Sequence, residues 1–177
     1  MRRATFALLG SLMLGACAQR RAWQTELTDT LPLLGHRNWI VVVDSAYPLQ
    51  TASGLRVVYA QEDTLDVVAD VLQEVDASGH VRATVILDRE LGAVAEADAP
   101  GISAYRAGLG RLLAGHDVQR LPHEEILARL DAAGREFAVL VLKTPLALPY
   151  TSVFVRLDCG YWSDAAETRL RASLGAM

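Results

Sequence analysis

Three side chains able to hold or move protons lie at the ends of two apolar runs. His36 precedes the run Trp39–Val43 and Asp44 follows it, while Tyr150 precedes the run Val153–Leu157. An imidazole can take and give a proton near neutral pH, a carboxylate can orient it or accept a proton, and a phenol can donate one. Because ladder hydrogen bonds hold the ends of a buried strand, the pattern predicts a proton-transferring site at strand ends.

His123 is a further candidate, at the start of a helical segment beside Glu124 and Glu125. Each candidate, taken alone, also has a purely structural interpretation. A loop histidine such as His36 is more often a solvated surface residue, and His123 fits the exposed first turn of a helix. An isolated tyrosine such as Tyr150 commonly packs its ring and hydrates its hydroxyl.

Other kinds of site have no motif in this sequence. It contains no phosphate-binding glycine loop, no dinucleotide-binding glycine fingerprint, no Gly-x-Ser-x-Gly and no His-x-x-x-His pair. The sequence therefore predicts no cofactor and no metal, and favours a site that works by proton transfer.

The composition is that of a globular domain. The chain has 177 residues, 51% of them hydrophobic, and a formal net charge of −4. This length suits one domain with a self-sufficient core. No basic stripe is present, which argues against nucleic acid as a partner.

The first residues have the pattern of an exported lipoprotein. Arg2-Arg3 is followed by the apolar segment Phe6–Leu14 and by Gly15-Ala16-Cys17. This order predicts a signal peptide over residues 1–16, lipidation of Cys17 and a tether over residues 17–26. The alternative is an ordinary N-terminal helix with an incidental cysteine. Ala18 carries no acidic retention signal, so we expect an exported protein, lipid-anchored in the bacterial cell envelope at the periplasmic face of the outer membrane.

The second cysteine has no predicted partner. With Cys17 acylated, Cys159 is the one remaining thiol, so no intrachain disulfide is expected. It ends an apolar run and has no basic neighbour in sequence. A packed small hydrophobe is therefore favoured over a nucleophile.

Strand-like and helix-like segments alternate along residues 27–177, which predicts a single domain. Continuous β-branched runs indicate strands that are buried on both faces, and hence a sheet between two helical layers. The short connection before the last strand favours a mixed, mostly parallel sheet. We predict helices over Leu27–Leu34, Asp63–Ser78, Tyr105–Leu113 and Pro122–Gly134 and from Ser163, strands over Trp39–Val43, Leu55–Ala60, Val81–Leu87, Asp117–Leu121, Phe137–Leu142 and Val153–Leu157, and a surface excursion over Asp88–Gly101.

The chain resembles the RbsD/FucU family of ribose pyranases and fucose mutarotases. The residues that carry the resemblance are Leu34-Gly35-His36, Val41-Val42-Val43-Asp44-Ser45-Ala46 with Pro48, Tyr105-Arg106, Pro122-His123-Glu124, Val141-Leu142-Lys143, and Pro149-Tyr150 before the strand Val153–Leu157. The resemblance implies a three-layer α/β/α domain, assembly into rings of identical subunits, and sites at subunit interfaces.

The resemblance also implies cofactor-free interconversion of the ring and anomeric forms of a free monosaccharide. His36 resembles the family's catalytic histidine, with Asp44 and Tyr150 in catalytic roles beside it. His123, Ser152 and Lys143 are then expected to bind the sugar. The family has asparagine where this chain has Ser152, and a Gly-Glu pair where residues 145–148 are apolar.

Three functions are compatible with these residues. The leading hypothesis is a lipid-anchored, homo-oligomeric sugar mutarotase or pyranase. The alternative is a non-catalytic saccharide-binding lipoprotein that uses the same pocket. A third is a structural lipoprotein in which the fold serves assembly alone.

Overall fold

Residues 21–175 are the part of the chain that the computed structural model describes. The helices are α1 (Ala22–Thr30), α2 (Thr64–Ser78), α3 (Ile102–Leu112), α4 (His123–Glu136) and α5 (Asp164–Gly175), and the strands are β1 (Trp39–Val43), β2 (Leu55–Tyr59), β3 (Val81–Asp88), β4 (Asp117–Leu121), β5 (Val139–Lys143) and β6 (Val153–Cys159). Short 3₁₀ turns cover Leu31–Leu33 and Arg89–Gly92. The predicted signal peptide and Cys17 lie outside the described residues.

The strands form one sheet in the order β2-β5-β1-β6-β3-β4. β1 pairs in parallel with β5, β2 with β5, and β3 with β4, whereas β6 runs antiparallel to both β1 and β3. Five strands therefore point one way and β6 points the other way. A mixed, mostly parallel sheet is confirmed.

Helices cover both faces of this sheet. In β1, Trp39, Val41 and Val43 join the core beneath α4, while Ile40 and Val42 join the core beneath α1, α2 and α3. All five residues of β1 are buried. The continuous apolar run thus reflects burial on two sides, and the predicted three-layer α/β/α architecture is confirmed.

Local signals explain where α2 begins and ends. The Asp63 carboxylate accepts a hydrogen bond from the Leu65 N–H at 2.8 Å, which caps the first turn. Gly79 follows the last turn with φ of 69°, a left-handed conformation that glycine adopts without strain.

Two sequence-based boundaries are wrong. The tether predicted over residues 17–26 is helical from Ala22 onward, because Trp23 and Leu27 lie one turn apart and both pack into the core. The excursion predicted from Asp88 onward begins one residue later, since Asp88 is the last residue of β3 and is buried.

The helix predicted from Ser163 is confirmed as α5, and it lies on the surface. α5 buries none of its residues, and Leu170 and Leu174 are exposed. Within residues 21–175, no helix combines the length and apolar character needed to span a bilayer.

Candidate active site

The sheet places several polar side chains at one edge. Because β1, β3 and β5 are parallel and β6 is antiparallel, the ends of the first three and the start of β6 meet there. A cleft of about 370 Å³ opens at this edge, a size typical of small-molecule sites. It is lined by Asp44, Ala46, Tyr47, Pro48, Gln50, His123, Leu127, Asp131, Pro149, Tyr150 and Ser152.

Asp44 directly follows β1, and its two oxygens have separate partners. Oδ1 accepts the Ala46 N–H at 2.8 Å, which fixes the turn after the strand. Oδ2 accepts the Ser152 hydroxyl at 3.3 Å, across 108 residues of sequence. The structure therefore brings the predicted residues Asp44 and Ser152 together.

Tyr150 stands beside them in a constrained loop. Its φ of 58° is unusual for a residue with a side chain, and its side chain is partly exposed at the cleft. The loop is held by Tyr105, whose buried hydroxyl donates to the Thr151 carbonyl at 2.6 Å. Thr151 in turn donates its hydroxyl to the Leu148 carbonyl at 2.8 Å. A strained backbone held by neighbours is typical of functional sites.

His123, the first residue of α4, contacts a carboxylate that the sequence-based prediction missed. Its Nδ1 lies 2.9 Å from Asp88 Oδ1, and the Asp88 side chain has no exposed surface. The His123 ring also meets the Tyr150 ring edge to face, with centroids 5.5 Å apart. His123 is therefore held between Asp88 and the cleft.

Burial raises the pKa of Asp88 above its ordinary range. The hydrogen bond and charge of His123 act in the opposite direction, while the carboxylates of Glu90 and Asp44 raise the pKa further. The second Asp88 oxygen, Oδ2, is buried without a hydrogen-bond partner. A signal for Asp88 was present in the sequence, because it ends the apolar run of β3 as Asp44 ends that of β1.

Tyr47 lines the cleft, and Lys143 contacts its backbone from outside the lining. Lys143, predicted to bind substrate, donates from Nζ to the Tyr47 carbonyl at 2.6 Å. Burial, with the nearby Asp131 and Asp44 carboxylates, raises the pKa of Tyr47 to about 12. The Lys143 ammonium therefore supports the wall instead of lining the cleft. Sequence reasoning did not identify Tyr47, Gln50 or Asp131.

His36 lies at the opposite edge of the sheet. It precedes β1 whereas Asp44 follows it, and five strand residues at about 3.3 Å each separate the two ends by roughly 15 Å. His36 is exposed there and is absent from the residues that line the cleft. The half-buried Cys159 ends β6 at that same distant edge. One chain therefore brings Asp44, His123, Tyr150 and Ser152 together without His36.

The described part of the chain offers no grouping of three or more His, Cys, Asp or Glu side chains suited to a metal ion. The cleft can instead donate and accept hydrogen bonds around a polyhydroxylated ligand. It contains carboxylates, an imidazole and hydroxyls within one small volume, and Leu127 and Pro149 supply apolar walls.

Several solved structures are similar in fold to this chain. Bacillus subtilis RbsD, solved with D-ribose, is 18% identical to this chain with a TM-score of 0.54, and the match covers 88% of this chain and 98% of RbsD. The fucose mutarotase of Streptococcus pneumoniae, solved with L-fucose, is 17% identical with a TM-score of 0.50, covering 75% of this chain and 91% of that one.

FucU from Bifidobacterium longum is similar in the same way, with 15% identity, a TM-score of 0.52 and coverage of 76% of this chain and 94% of its own. No protein-family model matches the sequence, and the search of curated proteins finds no match. The chain therefore has the RbsD/FucU fold, as its motifs predicted.

Proposed function

We propose that this protein is a cofactor-independent sugar mutarotase or pyranase. The observation that supports this most directly is the convergence of Asp44, His123, Tyr150 and Ser152 on one cleft at the sheet edge. The same fold occurs in proteins solved with ribose and fucose. A free monosaccharide is therefore the proposed substrate class.

The reaction requires two coupled proton transfers. A base removes the proton from the anomeric hydroxyl, the bond between C1 and the ring oxygen breaks, and an acid protonates that ring oxygen. The open-chain aldehyde then rotates about C1–C2 and recloses by the reverse steps, so that no proton is gained or lost. In this cleft His123 is the proposed base and Tyr150 the proposed acid, while Asp44 and Ser152 hold sugar hydroxyls.

His36 can join this chemistry if a second subunit supplies it. Within one chain, β1 keeps His36 at the edge opposite Asp44. A ring of identical subunits, as the resemblance implies, can place the His36 edge of one copy against the cleft of the next through a heterologous contact. We therefore keep a catalytic role for His36, in a homo-oligomer.

Mixed oligomers test this arrangement. We expect His36→Ala and His123→Ala each to abolish exchange alone, because every cleft then lacks one histidine. Random co-assembly of equal amounts of the two variants should return about a quarter of the sites to wild type. A site is intact only when the chain that supplies the cleft keeps His123 and the neighbouring chain keeps His36, and each condition is met half of the time. No recovery in verified mixed oligomers would contradict a shared site.

The activity itself is tested by exchange NMR of anomeric interconversion for ribose, fucose and galactose with the full chain. Faster exchange than the spontaneous rate, lost in His123→Ala and kept in the control His116→Ala, supports a mutarotase. His116 lies in the turn between α3 and β4, away from the cleft. Sugar-dependent thermal stabilisation without faster exchange would favour the saccharide-binding module. The absence of both faster exchange and sugar-dependent stabilisation would favour a structural lipoprotein.

Lipid anchoring through Cys17 is a separate proposal, based on the order of charged, apolar and small residues before it. Metabolic labelling with a fatty acid should mark the wild-type protein and not Cys17→Ser. Fractionation of the cell envelope should then find the labelled protein in the outer membrane. Equal labelling of both forms would contradict acylation at Cys17.

A further inference from the structure

Asp88 is a buried carboxylate with one partner. Oδ1 lies 2.9 Å from His123 Nδ1, and Oδ2 has no hydrogen-bond partner although the side chain is fully buried. A buried polar atom without a partner destabilises the folded state, so an apolar residue would serve packing alone better. This arrangement points to a role for Asp88 through His123.

The backbone of His123 is held as well as its ring. Glu90, in the 3₁₀ turn after β3, accepts the His123 N–H through Oε2 at 3.1 Å. The preceding Pro122 provides no side-chain cap, so Glu90 supplies the acceptor at the first turn of α4. Two carboxylates, Asp88 at the end of β3 and Glu90 just after it, thus fix both the position and the orientation of His123.

We infer that Asp88 is a positioning residue that selects the tautomer of His123. An ionised Asp88 can only accept, so His123 carries its proton on Nδ1 and donates it to Oδ1. Nε2 is then left with a free lone pair toward the cleft. This inference rests on the proposed function, in which Nε2 takes the proton of the anomeric hydroxyl.

The carboxylate also stabilises the charge that this transfer creates. When Nε2 accepts the sugar proton, the imidazole becomes a cation, and the adjacent buried Asp88 is its counter-charge. Other charged groups near Asp88 are the anionic Glu90 from the 3₁₀ turn and Asp44 after β1. Arg106 and Arg120 line a cavity that Asp88 also lines.

The opposite arrangement makes a different, measurable prediction. A protonated Asp88 would donate to Nδ1 and leave the His123 proton on Nε2. The two tautomers have distinct ¹⁵N shifts, and magic-angle-spinning NMR measures them whatever the size of the oligomer. The full chain labelled only at its histidines contains four such residues, and His123→Gln identifies the signals of His123.

We expect wild-type protein near neutral pH to show His123 protonated on Nδ1. Asp88→Asn should move the proton to Nε2, because the asparagine amide donates to Nδ1. The same variant should lower kcat for sugar exchange about 100-fold or more while changing KM little. The control is Asp98→Asn, which changes an exposed carboxylate between the 3₁₀ turn Arg89–Gly92 and α3. It should change neither the His123 tautomer nor kcat.

Each result is decisive. A wild-type His123 protonated on Nε2, an Asp88→Asn variant with an unchanged tautomer, or a tautomer change with unchanged kcat overturns the inference. The wild-type spectrum needs no variant, so a misfolded Asp88→Asn does not prevent the test. If no sugar is turned over but the tautomer still depends on Asp88, the positioning by Asp88 stands and the proposed function is what fails.

Discussion

His123 and Tyr150 meet edge to face, with their ring centroids 5.5 Å apart and their planes at 85°. They come from the start of α4 and from the loop before β6, and no sequence spacing relates them. The contact orients both rings at the mouth of the cleft. It separates two roles of Tyr150, since the ring positions His123 and the hydroxyl can reach a sugar oxygen.

Tyr150→Phe removes the hydroxyl and keeps the ring contact. We expect kcat for sugar exchange to fall about 100-fold with KM changed less, because a general acid acts in the transition state. Steady-state kinetics by exchange NMR measures this split. Tyr161→Phe, at an 80% exposed position, is the control. An unchanged kcat in Tyr150→Phe would assign the acid to another group.

Asp88→Asn should raise stability at neutral pH while it lowers activity. Burial raises the pKa of Asp88 above 3.8, so the folded state binds this proton more tightly than the unfolded state does. The contribution of Asp88 is therefore fully favourable below pH 3.8 and is lost as pH rises through the raised pKa. Asparagine does not ionise, so the Asp88→Asn variant avoids the free-energy cost of a buried charge at neutral pH.

Urea unfolding of wild type and Asp88→Asn as a function of pH tests this sign. The variant should be the more stable at neutral pH, and the difference should shrink as the pH approaches 3.8. A variant that is less stable at neutral pH would show that the ionised Asp88–His123 pair stabilises the fold on balance.

Tyr105→Phe should loosen the loop that carries Tyr150. It deletes the 2.6 Å hydrogen bond to the Thr151 carbonyl, which is buried, so we expect a loss of about 1–2 kcal/mol in the free energy of unfolding. We also expect a higher KM, because Tyr150 and Ser152 flank Thr151. Chemical denaturation and exchange kinetics check the two effects. A stable variant with normal KM would mean that β6 alone holds the loop.

Ser152→Ala should weaken sugar binding. Ser152 donates to Asp44 Oδ2 at 3.3 Å, a long hydrogen bond, and lies at the cleft. Its loss removes one of the two hydrogen bonds that hold the Asp44 carboxylate, and we expect KM to rise about 3- to 10-fold, equivalent to about 1 kcal/mol. A larger effect on kcat than on KM would place Ser152 in the chemical step.

Glu96 should stabilise the protein in a pH-dependent way. It accepts the N–H groups of Gly101 and Ser103 at the start of α3, which lowers its pKa from 4.5 to about 2. The contribution is present above pH 4.5 and is lost as the pH falls through about 2. Glu96→Gln should therefore lower the Tm at neutral pH and match wild type in strong acid. Asp29→Asn, an exposed carboxylate on α1, is the control.

Much of the fold follows from the apolar runs. β1 and the other buried strands appear in the sequence as continuous β-branched or aliphatic segments, and a short connection marks the reversal at β6. The helix from Ser163 was predicted as well, but its exposure was not. Its Leu170 and Leu174 repeat at helical spacing, yet both are exposed.

The site was predicted in part, because residues at strand ends share an edge only when the strand directions are known. Asp44, Tyr150 and Ser152 meet as expected once β6 is antiparallel. The pairing of His123 with Asp88 requires β4 to lie beside β3, and strand order is not encoded in any local pattern. The separation of His36 was implicit in the sequence, since a strand necessarily keeps its two flanks apart.

The reversal of β6 also bears on how this fold can diversify. The segment 144–152 leaves β5 and enters β6 at the same edge, passing across the end of β1. Its length and composition can therefore change without shifting the register of either strand. The apolar Pro145–Leu148 stretch lies in this segment, outside both strands. Variation in this one segment can thus alter the cleft, which Pro149, Tyr150 and Ser152 line, while the sheet stays constant.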